Sequence, residues 1–217
     1  MLRRLALDKR ERAARILKET SGVQEVIQAL SPRVHIKKLL QGLANVVQSL
    51  HEQPSSAAAL TTNFRIGLYI PTVDGVYLEP YESFSVRDGD GHPFSSFSEH
   101  RERFALSNRR NPAHTVKCVQ EKRTFIVSDT EKGGVEFYRG SSQRKYLRSM
   151  VAHPVFEIWH PSGETVTGAL VVDTDQVGFF SEVDRPIIEL ILTEFAARLT
   201  LEMQFHKITP KLDGGVA

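Results

Sequence analysis

The chain has 217 residues, 41% of them hydrophobic and 25% charged, which suits a globular protein of one domain or one domain with an appendage. A net charge of +2 excludes a dominant nucleic-acid-binding character, and no run approaches the roughly 18 apolar residues of a bilayer span, so the expectation is a soluble, cytoplasmic protein. The single cysteine, Cys118, excludes an internal disulfide and a cysteine-rich metal site.

The charge is unevenly placed. Residues 1–22 hold seven Lys/Arg against three Asp/Glu, and residues 100–123 hold seven against two. From Leu2 to Leu30 the apolar residues Ala13, Ile16, Val23, Ile27 and Leu30 recur at steps of three and four, with Thr20 between, which predicts a short heptad-like seam interrupted at Gly22. Residues 1–31 therefore read as a basic helical extension that docks on its own domain or across a dimer. Its Lys and Arg residues read as a solvated face rather than as a nucleic-acid or membrane contact.

Ser31-Pro32 predicts a helix start, with Ser at the cap and Pro at the first helical position. The helix that follows carries Ile36, Leu39, Leu40, Leu43, Val46, Val47 and Leu50 on one face and ends before Pro54. Phe64–Pro71 reads as a strand, and Asp74-Gly75 as a hairpin turn into a second strand over Val76–Tyr81. From Glu82 to Asn111 the periodicity fails. Asp88-Gly89-Asp90-Gly91 has a superficial calcium-loop pattern, but no bidentate Glu closes it, so no calcium is expected. Pro112–Lys122 predicts a helix with Ala113, Val116 and Val119 inward, followed by a short strand over Thr124–Val127 that ends at Ser128-Asp129.

Two apolar runs, Met150–Trp159 and Val166–Val172, flank the turn-forming loop His160-Pro161-Ser162-Gly163-Glu164 and predict an antiparallel hairpin. Neither run alternates polar with apolar, which places the pair in the middle of a sheet covered on both faces. Ser181 and Asp184 approximate a capping box, or Asp184 itself caps, with Pro186 in the first turn of a helix. Ile188, Ile191, Leu192, Phe195, Leu199 and Met203 then recur at helical spacing.

The string Ser149-Met150-Val151-Ala152-His153-Pro154-Val155, the hairpin loop, Gly168-Ala169-Leu170-Val171-Val172-Asp173, then Phe180-Ser181-Glu182-Val183-Asp184 and a long terminal helix resembles the C-terminal half of a GAF domain. The resemblance implies an α+β fold over residues 34–206, with a central antiparallel sheet of about six strands, helices on both faces (GAF/PAS-like) and a ligand pocket on one of them. Residues 1–31 would be the N-terminal helical extension and residues 207–217 a flexible tail. It also implies that the first and last helices pack side by side and make a homodimer through helices within 1–52 and 184–206, and that the irregular stretch from Glu82 to Asn111 walls the pocket.

No nucleophile motif, phosphate loop, dinucleotide fingerprint or metal-ligand spacing is present. The GAF-type free methionine sulfoxide reductases exchange a disulfide among several cysteines, so a chain with one thiol is not expected to be such an enzyme. No cofactor is expected. Cations are the positive signal: Arg101, Arg103, Arg109, Arg110, Lys117, Lys122 and Arg123, then Arg139, Arg144, Lys145 and Arg148, come from the two segments that the resemblance sets around the pocket. Guanidinium forks suit phosphate and carboxylate, and Phe94, Tyr138 and Tyr146 could stack on a base. The expected ligand is a small anion such as a cyclic nucleotide or a carboxylate, held by Phe94, Arg109, Arg110, His114, Asp129, Tyr138, Arg139, Arg144, Tyr146 and His153. The alternative is a set of exposed loop charges without a shared target.

The cyclic-nucleotide-binding relatives carry Asn-Lys where this chain has Asp173-Thr174, and Glu where it has Arg185. The departure puts nucleotide binding by the same mode in doubt. His153 either points into the pocket or sits hydrogen-bonded in the core. Cys118 reads as a small buried residue, with a redox-responsive thiol beside Lys117 as the alternative. The functional expectation is a sensory module that acts through dimer helices on a separate output protein. Its alternatives are a non-sensing dimerisation or interaction module with a collapsed pocket and, below that, a redox or metal sensor using Cys118 or His153.

Overall fold

A computed structural model describes residues 31–50, 63–86, 103–107, 113–132, 147–157 and 165–208. Its strands are β1 (Phe64–Pro71), β2 (Tyr77–Val86), β3 (Phe104–Ala105), β4 (Phe125–Val127), β5 (Ser149–Phe156) and β6 (Val166–Thr174). They form one six-stranded antiparallel sheet in the order β3-β2-β1-β6-β5-β4. The helices are α1 (Pro32–Ser49), α2 (His114–Glu121) and α3 (Arg185–Ile208), the last preceded by a 3-10 turn over Glu182–Asp184. The expected α+β architecture, a central antiparallel sheet with helices on both faces, is what forms.

Alternate residues of each strand face opposite sides, and the two sides have different covers. Ile66, Leu68, Val151, Val155, Leu170 and Val172 meet α1 and α3, which contribute Ile36, Leu40 and Leu43 and Ile188, Leu192 and Leu199. On the other side Tyr69, Val127, Met150, Ala152, Ala169 and Val171 cluster with Cys118 of α2. Being covered twice is why β5 and β6 read as unbroken apolar runs.

Two motif residues have clear structural reasons. A Cβ on Gly168 would lie 2.4 Å from the Tyr69 carbonyl oxygen, so only glycine lets β1 and β6 approach at this point. The buried hydroxyl of Ser149 donates to the Val127 carbonyl (2.7 Å) and accepts from the Phe180 N–H (3.2 Å), tying β4 and β5 to the segment that leads into α3.

Several boundaries differ from expectation. The strand after the Asp74-Gly75 turn does not stop at Tyr81 but runs to Val86, because Glu82–Val86 pair with β1 as far as Phe64. The two-residue β3, too short to leave a periodic signal, closes the sheet edge against Tyr77 and Leu78. On α1, Ala44 is buried whereas Val46 and Leu50 are exposed. Ser31 and Pro32 take the cap and first helical positions, although the Ser31 hydroxyl does not cap the helix. α2 starts at His114 and ends on Lys122 in the left-handed conformation (φ 54°). β5 ends at Phe156, before the expected Trp159. Ser181 donates its hydroxyl to the Asp184 carboxylate (2.6 Å) instead of capping a helical N–H, and Asp184 N–H bonds the Ser181 carbonyl (3.2 Å), which makes the 3-10 turn. The α-helix proper then begins at Arg185, with Pro186 in its first turn. The helical extension over 1–30, the calcium-like loop and residues 209–217 lie outside the described residues. Among the described residues, no helix is long and apolar enough to cross a membrane.

Candidate functional site

The α2 face of the sheet carries its polar groups at one end. Arg65 on β1 and Asp173 on β6 are direct cross-strand partners. They share that face with Tyr69 and Val171, which stand two or four residues away along the same strands. Arg65 Nε donates to Asp173 Oδ2 at 3.0 Å, and a second guanidinium nitrogen reaches the same oxygen at 2.5 Å. Both side chains are almost fully out of solvent.

At the same end of the sheet, β4 turns through Ser128 and Asp129 towards the start of β5. Thr130 N–H donates to the Arg148 carbonyl (2.9 Å), its hydroxyl to the Leu147 carbonyl (2.5 Å), and Arg148 N–H to the Thr174 carbonyl (2.8 Å). These bonds place the Arg148 guanidinium 3.1 Å from Glu131 Oε2 and 3.9 Å from Asp129 Oδ1. Asp129 also accepts from Glu131 N–H (3.0 Å) and lies 3.7 Å from Lys132 Nζ. Arg148 Nε, by contrast, is buried and has no acceptor among the described residues. A buried donor without an acceptor is costly, and an incoming oxygen would relieve that cost.

Over the middle of this face lies α2. His114, its first residue, presents its ring to Phe125 edge-on, with centroids 5.8 Å apart at 70°. Burial, and secondarily Lys117, push its pKa down to about 4, so the ring is neutral at pH 7. The Arg123 guanidinium sits 4.2 Å from the Phe125 ring centroid and pairs with Glu121 (2.8 Å).

No family model matches the sequence, and no curated protein matches it. Solved structures do. The GAF domain of an Acinetobacter phosphoenolpyruvate-protein phosphotransferase is 15% identical and superposes with a TM-score of 0.53 over 95% of this chain and 98% of its own. A far-red cyanobacteriochrome photoreceptor, 12% identical, superposes with a TM-score of 0.55 over 90% of this chain and 97% of its own. The fold is that of a GAF domain. A free methionine-R-sulfoxide reductase from Neisseria meningitidis, in complex with its substrate, is also similar, at 17% identity and a TM-score of 0.48 over 88% of this chain and 95% of its own.

Of the ten expected site residues in this GAF fold, Phe94, Arg109, Arg110, Tyr138, Arg139, Arg144 and Tyr146 lie outside the described residues. His114 is on the α2 face and Asp129 at its polar end. His153 is on the opposite face, in line with Val151 and Val155. Its Nδ1 meets the Thr124 hydroxyl (2.9 Å) and its Nε2 lies 3.5 Å from the Thr193 hydroxyl of α3. Burial holds its pKa down to about 4 in spite of the nearby Glu189 carboxylate, so it is a neutral core residue linking sheet to helix. The sheet thus separates His153 from His114.

Cys118 is fully buried, and its thiol donates to the Thr115 carbonyl (3.1 Å). Burial pushes the thiol pKa far up, and the opposing hydrogen bond from the Val119 backbone is too weak to offset it. Among the described residues, no cluster of His, Cys, Asp and Glu could hold a metal ion. Of the other expected cations, Arg103 pairs with Glu79 (3.1 Å) on the sheet edge, away from Arg148. The pairing of Arg65 with Asp173 is absent from the sequence-based expectations. The available signal was one cation and one anion, each inside an otherwise apolar strand.

Proposed function

We propose that this chain is a sensory or regulatory domain of the GAF type, which binds a small anion at the polar end of its α2 face and reports it through the α1–α3 helix pair. The observation that carries this reading is Arg148. Its guanidinium holds the exposed carboxylate of Glu131, lies near that of Asp129, and keeps a buried Nε–H without an acceptor among the described residues. A phosphate or carboxylate oxygen can take that N–H and displace Glu131 from the fork, a bidentate contact that lysine could not make. Arg109, Arg110, Arg139 and Arg144 would add charge, and Phe94, Tyr138 and Tyr146 a stacking surface. A signal requires the anion to prefer one of two arrangements of the helices. The exposed Val34, Val46 and Leu50 on α1 and Ile187 and Leu190 on α3 support a homodimer through those helices, acting on a separate output protein. The buried, poorly acidic thiol of Cys118 gives no support to reductase chemistry.

One observation favours a second reading, a non-sensing interaction module. Tyr69, Cys118, Leu147, Met150, Ala152 and Val171 already pack together beneath α2. The two readings separate in a thermal-unfolding screen with cyclic nucleotides and small carboxylates, since an anion at 100 times its Kd adds about 2.7 kcal/mol of stability. The sensory reading expects at least one anion to stabilise the protein and Arg148→Ala, Arg109→Ala or Arg144→Ala to remove the effect. A panel without stabilisation, or with the same stabilisation in all three variants, would leave the interaction module.

A further inference from the structure

On the opposite face of the sheet, a cavity of about 350 Å³ lies between the C-terminal turns of α3 and the strand ends remote from Arg65 and Asp173. Its size falls within the roughly 300–1,000 Å³ of small-molecule sites, and its make-up, an apolar wall with few polar groups, is theirs too. Ile70 and Val166 form its sheet side, Met203 its helix side, and Tyr81 adds an aromatic ring. Among the described lining residues Glu157 is the one carboxylate, and no Lys, Arg or His accompanies it. Its Oε1 accepts from Gln204 Nε2 at 3.3 Å, while Oε2 has no partner among the described residues. Neighbouring hydroxyls are engaged elsewhere: Thr200 donates to the Phe156 and Ala196 carbonyls (2.9 and 3.0 Å) and Thr167 to the Val155 carbonyl (3.1 Å).

A half-buried carboxylate with an open oxygen, beside an apolar wall and without a cation among the described lining residues, repels an anion and suits an ammonium group. We propose that this cavity is a second binding site, for a small primary amine with an apolar body. The ammonium donates to Glu157 Oε2, and the hydrocarbon part lies between Ile70, Val166 and Met203. Such a ligand touches sheet and helix at once and so holds the end of α3 against β6. The site is separated by the sheet from the proposed anion site, and neither depends on the other.

The three methionines provide the test, because Met203 lines the cavity, Met150 is buried on the α2 face and Met1 is the first residue. With carbon-13 methyl-labelled methionine, 2-phenylethylamine at neutral pH should shift the Met203 methyl signal saturably and leave Met150 in place. The isosteric anion 3-phenylpropanoate should leave Met203 in place, and Glu157→Gln, which keeps shape and hydrogen bonding but removes the charge, should weaken the amine by about tenfold. The proposal is overturned if the amine does not move Met203 up to its solubility limit, if it moves Met150 equally, or if Glu157→Gln binds it as well as the parent chain.

Discussion

Arg65 and Asp173 face each other directly across the β1–β6 ladder, guanidinium to carboxylate, on the two central strands near one end of the sheet and almost fully out of solvent. A pair buried this deeply adds little net stability over an apolar pair, but it penalises misalignment. A one-residue slip of β1 on β6 would send each charge to the wrong face, so the pair helps to fix register.

Removing one partner leaves a buried charge alone. Asp173→Ala should cost about 3–5 kcal/mol in urea unfolding, whereas the double change Arg65→Met with Asp173→Leu should recover most of that loss. Equal losses in the single and double variants would mean that the cost comes from packing and not from the orphaned guanidinium.

Acid should weaken the fold through its two buried histidines. Burial holds both His114 and His153 near pKa 4, against an ordinary value of 6.5. Between these values the unfolded chain binds protons that the folded chain refuses, so stability is complete above pH 6.5 and falls as pH drops towards 4. Each histidine contributes a slope of at most about 1.4 kcal/mol per pH unit, on the order of 3 kcal/mol for each over the whole interval. His153→Gln can still meet Thr124 and Thr193 and should flatten the acid limb of urea midpoints measured downward from pH 6.5. An unaltered limb would show that His153 is not held neutral.

Gly168→Ala should destabilise by about 2–3 kcal/mol, since the added methyl meets the Tyr69 carbonyl at 2.4 Å and backbone must move. A melting temperature within error of the parent would show that the β1–β6 approach is looser than described.

The Cys118 thiol should react with an aromatic disulfide reagent only as fast as the protein opens, and Cys118→Ala should cost about 1 kcal/mol. Prompt stoichiometric labelling of the folded protein would contradict the burial of this side chain and reopen a redox role.

The parts of the fold that were legible in the sequence are those where one physical demand dominates. β5 and β6 are covered on both faces and so are apolar throughout, and α3 lays a stripe at helical spacing across the sheet. β2 beyond Tyr81 was hidden because Glu82, Ser83 and Ser85 belong to a half-buried strand whose polar residues resemble a loop, and its register shift beside Tyr69 breaks the alternation. The site was less legible. That His153 faces α3 follows from its parity with Val151 and Val155, a signal present in the strand, and its bonds to Thr124 and Thr193 make it the hydrogen-bonded core residue, one of the two positions the sequence left open. That Arg148 keeps a buried N–H depends on Glu131, Asp129 and the Thr130 bonds converging at the sheet end, which no spacing encodes.

The most direct measurement follows the Arg148 Nε–H signal in a nitrogen-15 arginine side-chain spectrum, assigned with Arg148→Lys, while cyclic nucleotides and small dicarboxylates are titrated in. An anion that raises the unfolding temperature should move this signal saturably, with the same apparent Kd. An anion that stabilises the protein while Arg148 Nε–H stays in place, or a panel in which nothing moves it, would contradict an anion site on the α2 face.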